Sequence, residues 1–236
     1  MGNNQFTKPW TKEERKILER KYPLLGCKVM QFLPNRTYDA INKEVVRLGI
    51  HFGLFGEGEE AYLDIETTNL NADFAYMLTY AFKVKGQDKV YSGMITKEEI
   101  FNGIFDKRLV KDFVNDLMKF KRVYGYYSTP FDIPFSRTRA LYWKIPFPSY
   151  GLIQHQDLYY LVRNKLKFSR NRLENACEFL GIDGKTKLSG RIWVRAAIGD
   201  KKALDYILKH NIADVRILEK LHERIKEYAD VQKRSL

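Results

Sequence analysis

The sequence predicts an α/β protein on a mixed five-stranded sheet flanked by helices, preceded by a small all-helical unit. Three observations predict it. Residues 1–52 carry helix caps and helical apolar spacing, with no alternating stretch. From residue 61 strand patterns alternate with helical ones, and the first three strands follow one another closely. At 236 residues, 44% hydrophobic and 14% aromatic, the chain can bury one sizeable core and a smaller second one, which excludes a disordered tail protein.

In the first unit, Thr11 and Glu14 have capping-box spacing, predicting a helix through Tyr22 with Trp10, Ile17, Leu18 and Tyr22 as core candidates. Pro23 and Gly26 punctuate it, Cys27–Leu33 reads as a short second helix, and Pro34 breaks that. Thr37 can cap a third helix to about Leu48, with Ile41, Val45 and Leu48 on one stripe and Tyr38, Asn42, Lys43 and Arg47 mainly on other faces. The pattern WTKEE…LPNRTYDAINKEVVRLGI, over residues 8–50, resembles a SANT/Myb-like helix-turn-helix, which implies DNA binding. Ten basic and five acidic residues give this segment +5. Asn42 and Arg47 are of types that read base edges, Arg36 and Lys43 suit phosphates, and Tyr38 shares their helix. A solvated three-helix domain would carry the same charge.

Residues 52–60, FGLFGEGEE, show neither periodicity, so the expected domains are 1–52, a joint at 53–60, and 61–236. Strands are expected at 61–67, 73–84, 88–95, 122–128 and 152–156. Helices are expected at 97–103, 108–120 and 135–143, then from a capping-box-like start at Asn171 and Glu174, and from about Lys201 into the 220s.

The balance of 41 basic against 29 acidic residues gives +12 and favours polyanionic partners. No apolar run approaches the roughly 18–20 residues of a membrane span. The opening MGNNQFTKPW lacks a signal-peptide core, and Phe6 stands where a myristoylation signal needs Ser or Thr. Cys27 and Cys177 sit in no ligand-spaced cluster, so a reducing cytoplasmic location is expected.

The chemistry concentrates in acids. In LDIETTNL, Asp64 and Glu66 lie two apart on a strand and face the same way. Such a pair repels unless a hard cation lies between, although a solvated strand end also produces it. Asp132, in YGYYSTPFDIPF, sits where a strand delivers into a helix, as a fixed acid or as a helix cap. His210 and Asp214 are four apart on a helix, about 40° around it, which an ordinary surface pair would also be.

In this order the three elements resemble the DEDD, or DnaQ-like, 3′–5′ exonucleases of ribonuclease H fold, over about residues 61–228. The HN-x-x-DV form is most similar to the YprB-like ribonuclease H group. The resemblance implies two divalent cations, Mg²⁺ or Mn²⁺, held by Asp64, Glu66, Asp132 and Asp214. It implies a nucleic-acid substrate, DNA ahead of RNA, and terminal-nucleotide contacts from Thr67, Thr68, Asn69 and Leu70, which otherwise form a simple loop. One departure matters: His210 stands four before the last acid, the spacing of the tyrosine subgroup, whereas the histidine subgroup has its histidine five before. Lys209 occupies that fifth position, and lysine is a poor base at neutral pH unless strongly perturbed. His210 is therefore assigned the general-base or water-orienting role. Lys185 and Lys187 can meet phosphates, or form a solvated loop, and Phe131 can stack a base. His51, His155 and His222 are read as structural or exposed. The alternatives are a DNA-binding regulatory protein with a nuclease-like domain used for binding, and an exoribonuclease.

Overall fold

The computed structural model describes residues 9–50, 58–184 and 188–229. The chain divides into two compact units, Met1–Glu57 and Gly58–Leu236.

In the first unit, α1 (Lys12–Leu25) starts on the expected box, Thr11 Oγ1 accepting from Glu14 N and Glu14 from Thr11 N. It runs past Pro23 and ends at Gly26, whose φ of 52° an L side chain rarely adopts. Residues Gly26–Phe32 form a 3-10 helix, and α2 (Tyr38–Arg47) follows with Thr37 as its cap. Leu18, Tyr22, Val29, Leu33, Ile41 and Val45 make the core, with Trp10, Ile17, Leu48 and Ile50 packed against it. Arg36, expected to suit phosphates, has partners within the unit. Its guanidinium lies over the Trp10 ring, donates twice to Glu14 and once to Pro9 O, and is only 9% exposed. Chain folding-back buries it as an internal clasp, and its hydrogen bonds hold the Glu14 carboxyl down at about 2. Arg47 pairs with Glu44, while Tyr38 and Lys43 are exposed and Asn42 is half-buried.

The second unit is a mixed sheet in the order β3-β2-β1-β4-β5. β1 (Glu59–Thr67) pairs antiparallel with β2 (Met77–Val84), and β2 with β3 (Val90–Met94). β1 also pairs in parallel with β4 (Phe120–Gly125), and β4 with β5 (Gln154–Asp157). β1 thus claims residues 59 and 60 from the expected joint. Glu60 is used at once, accepting from Lys85 Nζ and Tyr124 Oη.

Alternation along β1 divides the core. Ala61, Leu63 and Ile65 face the cluster under α3 (Lys97–Phe101), α4 (Lys107–Leu117) and α5 (Asp132–Tyr142). Tyr62 faces the other cluster, under α6 (Leu158–Lys165), α7 (Leu173–Phe179) and α9 (Lys201–Ile225). Asp64 and Glu66 share the parity of Tyr62 and so lie on the α9 side. α8 (Gly190–Ala197) packs against α9.

Expected boundaries move by a few residues at several elements, and at three the structure shows why. β2 starts at Met77 rather than residue 73, its amide at Met77 taken by the buried Asp106 carboxylate. α5 starts at Asp132 rather than 135, because a proline is tolerated in the first turn, where its missing N–H costs nothing. α7 is preceded by Arg172 without a side-chain cap, so the Asn171 box does not form.

Behind β1, the Tyr62 hydroxyl shares a hydrogen bond of 2.9 Å with His222 Nδ1, and the His222 and Tyr124 rings lie 4.3 Å apart. Burial pushes the His222 imidazole down to about 4, and Lys85 acts in the same direction. An unfolded imidazole titrates near 6.5, so between there and about 4 the unfolded chain takes up a proton that the folded one refuses. This contribution to stability is present above 6.5 and is lost as pH falls through that window. Asp132 works in the opposite sense, since burial raises its pKa and the folded state takes up its proton first. Comparison with His222→Gln isolates the histidine. Between pH 7 and about 4.5, the stability difference should shift by about 2 kcal/mol in the variant's favour, read from urea midpoints. A constant difference across that range would overturn the assignment.

Candidate active site

The site lies where β1 and β4 part. Their parallel pairing ends at Tyr62 and Tyr124, which leaves the Ile65 amide without a strand partner on that side. Asp132 supplies the substitute: its Oδ1 accepts from Ile65 N at 3.0 Å, between the two acids of β1. A carboxylate from the start of α5 is thereby locked to the backbone of the strand that carries Asp64 and Glu66.

The turn that delivers Asp132 is itself fixed. Gly125 ends β4 so close to the returning chain that a Cβ would fall 2.2 Å from Ser128 Oγ. Ser128 Oγ lies 2.8 Å from His155 Nε2, which gives that histidine a buried structural partner. Asp157, at the end of β5, accepts from Tyr127 N and Thr129 N at 2.8 Å each, and caps α6 through Tyr159 N. These charge-assisted bonds hold Tyr127 at a φ of 64°, costly for a non-glycine residue. Burial raises the pKa of Asp132 and of Asp157, against the lowering effect of the amides that each accepts from.

α9 brings the third element across. His210 Nε2 lies 3.6 Å from Glu66 Oε1 and 3.6 Å from Asp214 Oδ2, with the imidazole side chain only 9% exposed. Two carboxylates from different elements thus converge on one ring nitrogen. One residue along, fully buried Asn211 donates from Nδ2 to Asp64 Oδ2 at 2.6 Å. Asn211 Oδ1 meets no hydrogen-bond partner among the described residues. The HN-x-x-DV motif stands out in the sequence, yet sequence alone gives Asn211 no role. Its signal is a second polar residue beside His210 among the mostly apolar buried positions of the helix.

The structure therefore groups Asp64, Glu66, His210, Asn211 and Asp214, with Asp132 tied to the same strand. Among the described residues, no three His, Cys, Asp or Glu side chains stand close enough together to ligate one ion as they are oriented. Each acid is turned to a local partner: Asp64 to Asn211, Asp132 to Ile65 N, and Glu66 and Asp214 to His210. The donor chemistry fits a hard divalent cation: carboxylate oxygens converge here, and a cation would relieve the burial that raises Asp132.

The loop after β1 uses most of its polar groups internally. Thr67 Oγ1 donates to Asn69 O, Thr68 Oγ1 accepts from Tyr76 N, and Asn69 Oδ1 accepts from Leu70 N. Leu70 points outward, 73% exposed. Phe131 is half-buried beside Phe135. Lys187, with Lys185, lies outside the described residues. Below the loop, buried Asp106 grips Arg139 and accepts from Trp143 Nε1, while Arg139 also donates to Ala72 O. This ion pair ties α5 to the β1–β2 connection. No sequence pattern points to it.

A mixed sheet in this order, with acids on the central strand and on the helix across it, is an RNase H-like architecture. Residues 61–226 match the RNase_H_2 family, RNase_H superfamily, and the chain belongs to that superfamily. Over 69 residues, 28% of this chain and 91% of the relative, it is 35% identical to the uncharacterized protein Lin2408 of Listeria innocua serovar 6a (strain ATCC BAA-680 / CLIP 11262). Its fold is similar to the family B DNA polymerase from the hyperthermophilic archaeon Pyrobaculum calidifontis, with a TM-score of 0.59 at 18% identity over 75% of this chain. The chain spans only 25% of that polymerase's length, and the likeness shows the fold alone. The family match supports nuclease activity, and RNase H-like nucleases generally use divalent metals. No helix among the described residues is long and apolar enough to cross a membrane.

Proposed function

We propose that the chain is a divalent-metal-dependent 3′–5′ exonuclease acting on DNA, with its first unit as a DNA-binding helix-turn-helix. The observation that carries this reading is the convergence of Glu66 and Asp214 on His210 beside an Asp64 oriented by Asn211. A protein that only binds nucleic acid gains nothing from carboxylates gathered toward a phosphate.

Asp64, Glu66 and Asp214 would hold one cation and Asp132, with Asp64, a second; the pair supplies charge to activate water and to stabilise the transition state and leaving oxygen. His210 takes the proton of the attacking water, for which a ring nitrogen between two carboxylates is electrostatically prepared. Asn211 holds one Asp64 oxygen, which fixes the carboxylate plane and leaves the other oxygen for bonding. Asp132 needs no rotamer search, since the Ile65 amide already orients it. Leu70, exposed in the loop after β1, would press on a terminal base.

The test is incubation of end-labelled single- and double-stranded DNA and RNA with the chain, with Mg²⁺ or Mn²⁺ and then with EDTA. Stepwise shortening from the 3′ end that stops in EDTA is expected; full cleavage in EDTA, or none on any substrate, would overturn the reading. A chain beginning at residue 58 should remain folded and cleave, with weaker binding to duplex DNA. The helix-turn-helix assignment fails if duplex affinity is the same with and without the first unit.

A further inference from the structure

Along α9 the exposed ridge carries Lys202, Lys209, Arg216, Lys220 and Arg224, at spacings of seven, seven, four and four. Those spacings keep all five within an arc of about 80°, over about 33 Å of helix. Apart from Asp214 in the site, the acids of this helix have partners of their own: Asp205 with Lys201, Glu219 with Lys83, and Glu223 with Lys226. Lys202, Lys209 and Arg224 have no side-chain ion pair among the described residues. Arg216 has only Asp88, 94% exposed and 3.2 Å away, a pair of little worth in water.

The middle of this ridge borders a groove of about 310 Å³. Lys209, Arg216 and Lys220 form its basic rim, Ile212 and Ile217 line it with apolar surface, and Asp183 and Gly184 belong to the segment across from the helix. Lys220 Nζ reaches the backbone oxygen of Asp183 at 3.4 Å, and Asp183 is the one acid lining the groove. Three cations over an apolar floor suit a chain of phosphates joined by sugars. A ridge of this length fits an extended polyanion better than a single small anion.

We propose that this groove and ridge bind the phosphodiester backbone of a single-stranded nucleic acid, outside the residues that would cut it. The inference rests on the proposed nuclease function for its meaning, since Lys209 is adjacent to His210 and lies about 100° around the same helix. The carboxylate cluster repels phosphate, and a basic track on the same helix supplies the affinity that the cluster lacks.

The test uses the full chain and a labelled oligothymidylate long enough to span α9, with binding read by fluorescence anisotropy in EDTA across a salt series. The variant Lys209→Gln/Arg216→Gln/Lys220→Gln is compared with Lys97→Gln/Lys107→Gln/Lys111→Gln, which removes the same charge from α3 and α4. The groove variant should lose roughly tenfold or more in affinity, and its salt dependence should become shallower by about 2, near 0.7 for each phosphate no longer neutralised. The control variant should keep the parental slope. Equal losses in both variants, or parental binding by the groove variant, would overturn the proposal. Cleavage with Mg²⁺ is scored separately. A parent that binds through this groove but never cleaves refutes the nuclease reading and leaves the groove standing, whereas a parent that cleaves with unaltered binding in the groove variant does the reverse.

Discussion

Asp64→Asn and Asp214→Asn are each expected to lower cleavage by about 10³-fold or more, with thermal midpoints close to the parent's. The rate loss follows from charge. Each acid would neutralise and place a cation worth several kcal/mol to the transition state, and every 1.36 kcal/mol is tenfold in rate. The retained fold follows from local contacts. An amide at position 64 still offers an oxygen to Asn211 Nδ2, so the bond made by Asp64 has a neutral successor. At 214, loss of a charge reduces repulsion with Glu66, since both carboxylates lie 3.6 Å from His210 Nε2. Excess Mg²⁺ should not restore either variant, because the missing ligand is part of the protein. Rates are read from single-turnover degradation of an end-labelled strand. Parental rates in either variant would sink the metal mechanism, and a large fall in midpoint would instead point to a structural role for the acid.

The site is legible in the sequence wherever its geometry is local. Period two along a strand places Asp64 and Glu66 on one face, and the register of β1 with β2 sets Asp64 opposite Ala81 and Glu66 opposite Thr79. The helical spacing of His210 and Asp214 likewise needs no tertiary information. What escapes depends on contacts distant in sequence. Arg36 reads as a free cation beside a helix, and only the fold brings Glu14 and Trp10 against it. The Asp106–Arg139 pair crosses 33 residues, and Asp157 reaches back about 30 to fix the turn before Asp132. The start of α5 is hidden for another reason: Pro134 looks like a helix breaker until the first turn is seen to tolerate it. Sequence periodicity shows which face a residue occupies, and only the assembled sheet shows which backbone amides fall free for a carboxylate to take.

His210 is the residue where this chain departs from the family pattern that it otherwise resembles, and its variants separate two roles. The imidazole lies among carboxylates, 3.6 Å from one oxygen of Glu66 and 3.6 Å from one of Asp214, beyond ordinary hydrogen-bond length. It can therefore act as a proton acceptor, or as a spacer that keeps the two acids apart. If it accepts the proton, His210→Ala should cost roughly 10²–10⁴-fold in single-turnover rate at saturating metal, the usual worth of a positioned acid–base group. His210→Gln should be nearly as slow, because an amide fills much of the same space beside the carboxylates but takes up no proton. His210→Tyr should recover part of the loss, since the spacing of four before Asp214 matches the tyrosine subgroup and a phenol can orient water. Metal affinity, measured by calorimetry on the same proteins, should change far less than the rate, because the carboxylates remain. A His210→Gln protein running at the parental rate would make the imidazole a spacer, and the proton acceptor would then have to be sought outside α9.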